Sequence, residues 1–306
     1  MSANDGRIFK RFHRKDVQQR MVKNARRAKT IDRLVSIFAI VCVALAVIPL
    51  ASILIEVVKN GIAAIDLEFL TGRPSAIGRV GGGIGPAIQG TLIVVGLASM
   101  IGAPVGILTG IYLSEFAGNG AFPNGVRFFN EVLTGLPSVV IGIVGYILIV
   151  INIGSFSVWA GAFSLSIIMI PIVARVTEET LKIVPNSIRE AGFALGIPKW
   201  KITTFITFKS AISGILTGIV LAIARIAGET APLIMTILGT SLYFTAFNEP
   251  VDALPLRIWR LSSQPYESAQ AQAWGAALIL ILMVLILSVT LRLLAQRRGF
   301  AVNAEI

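Results

Sequence analysis

Long stretches without a charged residue dominate this chain. Residues 34–55, 80–114, 132–174 and 268–291 contain no Asp, Glu, Lys or Arg. A helix crossing the hydrocarbon core of a bilayer needs about 20 mainly apolar residues. Each stretch is long enough for one crossing, and 132–174 is too long for one. It divides at the polar segment 152–155 (NIGS). A further apolar run, 211–240, carries only two charges, Arg225 and Glu229. The pattern predicts six transmembrane helices, over 34–57, 88–113, 132–151, 156–175, 211–239 and 272–294. The period-two alternation of a membrane barrel is absent.

Composition agrees with that pattern. The 306 residues are 55% hydrophobic and 14% charged, with a mean hydropathy of +0.81, which places the chain among polytopic membrane proteins. The first span is longer than the apolar core of a cleaved signal and follows a basic leader. Cys42 is the only cysteine, so no intrachain disulfide can form. It reads as a small apolar side chain within the first span.

A formal charge of +11 raises the question of nucleic acid, and its distribution answers it. Residues 1–33 hold eleven Lys and Arg, the segment 176–210 adds Lys182, Arg189, Lys199, Lys201 and Lys209, and the C-terminus adds Arg292, Arg297 and Arg298. The alternate segments 58–87 and 240–271 hold only Lys59, Arg73, Arg79, Arg257 and Arg260. Six spans with both termini on the basic side satisfy the positive-inside rule, so both termini and the 114–131 and 176–210 loops are expected in the cytoplasm, in a multi-pass protein of the cytoplasmic (inner) membrane. The leader is expected to lie against anionic membrane lipid. It carries no nucleic-acid recognition motif, and no nucleic-acid partner is expected. His13, the only histidine, sits among these basic residues and is read as solvated; no metal site is expected. The domain reading is a basic cytosolic leader over 1–33, a transmembrane domain over 34–296, and a cytosolic tail over 297–306.

The Gly/Pro-rich stretch 72–90 lacks the Gly-Lys-Ser/Thr ending of a phosphate-binding loop, and is read as a flexible lead-in to the second helix. No Walker motif occurs elsewhere. If ATP drives this protein, another chain hydrolyses it. Gly106-x3-Gly110 and Gly214-x3-Gly218 place small residues one helical turn apart and suit close helix contact with an intramembrane partner. No internal repeat of the kind found in secondary transporters is visible.

The 176–210 loop carries structure of its own. In PNSIREAGFALGIPKWK (185–201), Ser187 followed by Glu190 has the spacing of a capping box, which predicts a short helix over 187–197 that ends near Gly196 before Pro198. Glu190-Ala191-Gly192, three residues, Gly196, nine residues and Ile206 resemble the EAA loop of ABC-importer permeases, with Gly192 in place of the third-position Ala, Phe208 in place of Leu and Lys209 in place of Pro. GGGIGPAIQGTL (81–92), LTGLPSVVIG (133–142), RVTEETLKIVPNSIREAGFALGIPKWK (175–201), ARIAGETAPLI (224–234) and SQPYESAQAQAWGAALIL (263–280) extend the likeness. Together they resemble the PstA-type permease of the phosphate-uptake ABC transporter, over most of 81–295.

The resemblance implies an all-α fold of six transmembrane helices, similar to the type I ABC-importer (MetI-like) permease, with an ABC-type core over about 87–295. It implies a subunit that imports inorganic phosphate by alternating access. The implied partners are a second, PstC-type permease as heterodimer, two PstB-type ATPase subunits and an extracytoplasmic PstS-type phosphate-binding protein. Glu190, Ala191, Gly192 and Gly196 would then couple the chain to the ATPase. ATP and Mg would be bound by that partner and no cofactor by this chain, which is not expected to be an enzyme.

Arg225 and Glu229 are four residues apart, so on one helix they share a face. Counted from Ala211, Arg225 lies roughly 21 Å along the helix. An uncompensated charge at that depth costs from about 2.5 kcal/mol upward. Such residues therefore face a bundle interior or a water-filled path. One reading is a self-neutralising pair that locks helices together. The other is a substrate path in which the guanidinium fork binds an oxyanion and Glu229 prevents over-tight binding. Pro232 lacks the N–H that would bond the Gly228 carbonyl, so Gly228 and Pro232 predict a helix kink beside the pair. Arginine alone does not separate phosphate from sulfate or molybdate. A standalone secondary transporter or channel is the rival of a different class.

Overall fold

The computed structural model describes the backbone of residues 5–76, 81–118 and 120–303, and the side-chain surroundings of 29 and 31–293 within those ranges. The side chains of most of the basic leader, including His13, and of the tail 297–306 lie outside the described residues. Helix α1 runs over Asp5–Gly61, and residues 1–56 form a unit of their own. Within it, the side chains from Ile31 to Leu50 are all exposed and nearly all apolar, as a span solvated by lipid requires.

The second unit, 57–306, contains ten helices among the described residues. The short α2 covers Leu67–Thr71, capped by Asp66, whose carboxylate accepts from the Phe69 N–H. Helix α3 covers Gly85–Ile111 and continues as a π-helical turn over Tyr112–Phe116. Helices α4 (Ala121–Gly135) and α5 (Ser138–Ile153) follow, then α6 (Val158–Ile183) and the short α7 (Asn186–Ala194). Helix α8 covers Lys199–Ala227, with a π-helical segment at Ile202–Thr207. Helices α9 (Ala231–Thr236), α10 (Leu254–Ser262) and α11 (Glu267–Asn303) complete the chain. An isolated parallel bridge between Leu238 and Val251 is the only β-type pairing among the described residues.

Among the described residues five helices are long and apolar enough to cross a membrane, and α4 with α5 makes a sixth if that bent pair is one span. This pair is where the predicted spans differ most. A straight helix was expected over 132–151. Instead the chain bends by 103° between α4 and α5. Pro137 crowds the backbone of the residue before it, and Leu136 is accordingly extended, at φ −68° and ψ 138°. The fifth predicted span starts earlier than expected, at Lys199, and stops at Ala227.

Helix α6 is the most buried of the spans. Its N-cap Ser157 accepts from the Ala160 N–H at 3.3 Å. Both glycine pairs face it. A Cβ at Gly106 would lie 2.7 Å from Val173 Cβ, and one at Gly110 2.5 Å from Thr177 Cβ. A Cβ at Gly218 would lie 2.3 Å from Val176 Cγ1 and one at Gly214 2.4 Å from Thr180 Cγ2. These glycines are therefore spent on close packing inside this chain, and not on an intramembrane partner as their spacing suggested. The main core joins α3, α5, α6, α8 and α9 through Val94, Ile141, Leu165, Met169, Ile226 and Leu233.

The glycine-rich lead-in to α3 is held in place. The Gly83, Ile84 and Gly85 N–H groups donate to the carbonyls of Arg73, Phe69 and Gly72. The expected flexible connector is, over 83–85, bonded through its backbone to α2 and the two residues that follow it.

Candidate functional site

Arg225 occupies the last turn of α8, and the helix stops two residues later. The break is local. Gly228 and Glu229 donate to the Arg225 and Ile226 carbonyls at 3.2 and 3.3 Å, and the chain resumes as α9 with Pro232 in its first turn. Proline is suited to that position because its missing N–H has no partner there to lose. The expected kink at Gly228 and Pro232 is thus a full interruption of the helix.

The pair sits at this interruption. Arg225 Nε and Glu229 Oε1 are 3.9 Å apart, with the arginine side chain 55% exposed and the glutamate 17%. That is within ion-pair range but beyond hydrogen-bond length, so much of the guanidinium fork is open. Both residues line a cavity of about 80 Å³ with Thr134, Ser138, Ile141 and Ile168. The lining combines the hydroxyl-bearing Thr134 and Ser138 with aliphatic side chains and the Arg225 cation. Thr134 also lines a second cavity, of about 170 Å³, with Arg127, Glu131, Arg175, Glu178 and Lys182. The two cavities together run from the α8 break toward the C-terminal end of α6.

Most of the charges around the second cavity are mutually paired. Glu178 accepts from Arg127 Nε at 2.9 Å and Lys182 Nζ at 2.6 Å. Arg127 also donates to the Leu113 carbonyl at 3.0 Å. These bonds tie α4 to α6 and α3. Arg175 pairs with Glu179 at 2.9 Å on the exposed side of α6.

Helix α7 lies where the short helix was expected, but begins differently. It runs over Asn186–Ala194, and its N-cap is Pro185 with no side-chain cap. The Ser187 and Glu190 capping box does not form, because both residues already lie inside the helix. Its end matches the glycine signal. Gly196 adopts φ +71°, a conformation a β-carbon disfavours, and Ile197 and Gly196 donate back to the Gly192 and Phe193 carbonyls. Glu190, Ala191 and Gly196 are exposed, alongside Phe193 and Leu195. Gly192 is turned the other way. It is buried on Ile202, where a Cβ would come within 2.9 Å of the Ile202 Cδ1, so it supplies no docking surface.

Charged residues that the sequence left undistinguished prove structural. Arg189 reaches Glu115 through a two-pronged contact, Nη2 to Oε1 at 2.6 Å and Nε to Oε2 at 3.2 Å. Arg257, counted from sequence only among the charges of the 240–271 segment, is buried. It donates from Nε to Asp252 Oδ2 at 2.7 Å and from Nη2 to the Thr240 carbonyl at 3.1 Å. Burial pushes the Asp252 carboxyl above its ordinary value, opposed by the attraction of Arg257. No group of three or more His, Cys, Asp or Glu residues positioned to hold a metal occurs among the described residues.

The helical arrangement is that of the membrane subunit of an ABC importer. The chain superposes on a subunit of a bacterial alginate ABC transporter, solved in complex with alginate pentasaccharide-bound periplasmic protein, with a TM-score of 0.64 over 88% of this chain and 96% of that one at 16% identity. A subunit of the inward-facing MetNI methionine ABC transporter gives a TM-score of 0.57 over 70% of this chain and 97% of that one at 14% identity. Residues 102–299 match the family described as binding-protein-dependent transport system inner membrane component. The Phosphate transport system permease protein PstA of Yersinia pestis is 41% identical over 246 residues, covering 80% of this chain and 83% of that protein. Its counterpart in Haemophilus influenzae is 38% identical over 270 residues, covering 88% and 95%. The chain belongs to the binding-protein-dependent inner-membrane transport family and, within it, to the PstA-type permeases.

Proposed function

We propose that this chain is one of two permeases lining the path of an ATP-driven importer of inorganic phosphate. The observation that carries this reading is the open guanidinium of Arg225, set at a broken helix beside hydroxyls in a cavity at the end of a membrane span. A structural ion pair would be expected to close to hydrogen-bond length; this one stands at 3.9 Å and leaves the arginine side chain 55% exposed. The PstA-type relatives supply the substrate class. Guanidinium suits phosphate because it is planar, permanently charged and weakly hydrated. Glu229 holds the fork in place while the path is empty and, as a like charge to the anion, keeps phosphate from binding too tightly to leave.

In this reading the exposed side of Arg225 faces a PstC-type permease across the path. A phosphate-binding protein of the PstS type delivers substrate from outside, and two PstB-type ATPases bind ATP and Mg on the cytoplasmic side, where both termini of this chain lie. Helix α7 docks into the ATPase through Glu190, Ala191 and its exposed apolar residues. ATP binding moves α7 and switches the path between outward and inward access. This chain performs no hydrolysis.

The test is ATP-driven uptake of labelled phosphate by the reconstituted complex. Arg225→Gln is expected to abolish uptake while complex assembly and binding-protein-stimulated ATPase activity survive. Uptake that persists in Arg225→Gln makes the pair structural. Glu190→Lys is expected to lower stimulated ATPase activity through weakened docking. Excess sulfate or molybdate is expected to leave phosphate uptake intact; strong competition would assign a broader oxyanion importer.

A further inference from the structure

Helix α7 has few holds on the bundle. One is Gly192 resting on Ile202 at the π-helical segment of α8. Toward the ends of α3 and α6 it faces a cavity of about 380 Å³, lined by Ser114, Glu115, Lys182, Arg189 and Thr203. Close apolar packing does not fill this gap. The Arg189 side chain reaches into it.

Arg189 is saturated there. Beyond its two bonds to Glu115, Nη1 donates to the Val184 carbonyl at 2.6 Å and to Asn186 Oδ1 at 3.3 Å, and Nη2 donates to the Leu181 carbonyl at 2.9 Å. A guanidinium has five N–H donors, and five hydrogen bonds leave it here. The Leu181 and Val184 carbonyls lie at the C-terminal end of α6, where the last carbonyls lack the usual helical partners; the Leu181 carbonyl also accepts from the Val184 N–H. Glu115 lies in the π-helical turn that ends α3. One side chain of α7 therefore grips the ends of α3 and α6 together, with Arg189 16% exposed and Glu115 5%.

We infer that the Arg189–Glu115 pair is the strut that carries motion of α7 into the bundle, making both of them positioning residues for coupling. The inference rests on α7 being the docking helix. A surface pair would yield under load, but this one is buried, two-pronged and charge-assisted, and such bonds are short and directional. Displacing α7 must either break it, leaving a buried carboxylate unpaired, or move the ends of α3 and α6. Helix α3 is packed along α6 through Gly102, Gly106 and Gly110, so movement of those ends is passed along both helices. The α6 flank of the Arg225 cavity, at Ile168 and Ile172, lies on the same helix.

The experiment measures phosphate taken up per ATP hydrolysed by the complete reconstituted complex, wild type against Glu115→Gln. The substitution keeps shape and removes charge, while Arg189 keeps its carbonyl partners. The expected result is normal assembly and stimulated ATPase activity with the uptake-to-ATP ratio down roughly tenfold, within the usual range of coupling free energies. A ratio unchanged from wild type, or uptake and ATPase activity falling together, overturns the strut and leaves a merely stabilising pair. Where Glu115→Gln does not assemble, Glu115→Asp, with its charge kept and its reach one methylene shorter, is judged by the same two outcomes. A wild-type complex that hydrolyses ATP without moving phosphate overturns the functional reading and the strut with it. A lowered ratio beside an active wild type concerns the strut alone.

Discussion

Replacing Gly106 with alanine tests whether the α3–α6 contact is set by the absence of a side chain. The new Cβ would lie 2.7 Å from Val173 Cβ and 2.9 Å from the Ile170 carbonyl oxygen. Carbon atoms settle at about 3.5–4.0 Å, so the two helices must part by about 1 Å locally. Neither neighbour is the tip of a flexible chain, and the strain has nowhere inexpensive to go. Overpacking of this kind costs about 1–3 kcal/mol. It is offset by the better helix propensity of alanine, at most about 1 kcal/mol. Gly96 supplies the control, because a Cβ there meets nothing within 4 Å. Gly96→Ala should therefore show the propensity gain alone, and the difference between the two variants isolates the packing term. Unfolding of the full chain in mixed micelles by rising SDS, followed by tryptophan fluorescence, reads that difference. The expected order of stability is Gly96→Ala, wild type, Gly106→Ala. Equal midpoints for the two variants would refute the account of α6 as a helix gripped by glycine faces.

Three further outcomes are expected. Asp252→Ala leaves Arg257 buried without its carboxylate and should destabilise the chain by about 3–5 kcal/mol, while Asp252→Ala combined with Arg257→Leu should recover much of the loss in the same unfolding assay. Because burial raises the Asp252 pKa, the folded chain takes up that proton before the unfolded chain does. The resulting stability is fully present below the ordinary carboxyl value and is lost as pH rises through the folded one; Asp252→Asn should flatten that part of the pH profile. Pro137→Ala restores a backbone N–H and frees Leu136 for the helical region, so spin labels placed at Phe129 and Ile147 should move apart as the bend opens. An unchanged separation would assign the 103° bend to packing alone.

Much of the 176–210 loop was legible because it is local. A glycine that must take a positive φ and a proline that cannot continue a helix mark the end of α7 within four residues, and Gly196 adopts that conformation at φ +71°. The start of α7 was misread for an equally local reason. Ser187 and Glu190 have capping-box spacing, but Pro185 already supplies the turn, so the helix begins at Asn186. The depth of Arg225 was counted along an apolar run from Ala211, but the helix that carries it starts at Lys199 and stops at Ala227, so the residue lies in its last turn. The geometry of the Arg225–Glu229 pair was not legible. The expected shared helix face dissolves at the break after Ala227, and the two groups stand 3.9 Å apart across it.

By itself the sequence determined the class of molecule and the approximate position of most spans along the chain. Hydropathy is summed over consecutive residues, and the bilayer imposes a fixed length on each span. The asymmetry of Lys and Arg between alternate loops reads the same way, one segment at a time. Only the tertiary structure decided who meets whom. Glu115 and Arg189 are separated by 74 residues, and Arg127 and Glu178 by 51. No periodicity links such positions, because they are joined by how α3, α4 and α6 pack. The same packing turned Gly192 inward, buried Arg257 against Asp252, and spent the spaced glycines on α6. In a bilayer the apolar surfaces of helices are nearly interchangeable with lipid, so hydrophobicity places each span without choosing its neighbours. That choice falls to close contact at small residues and to a few buried charges, and both take effect only when the helices are assembled.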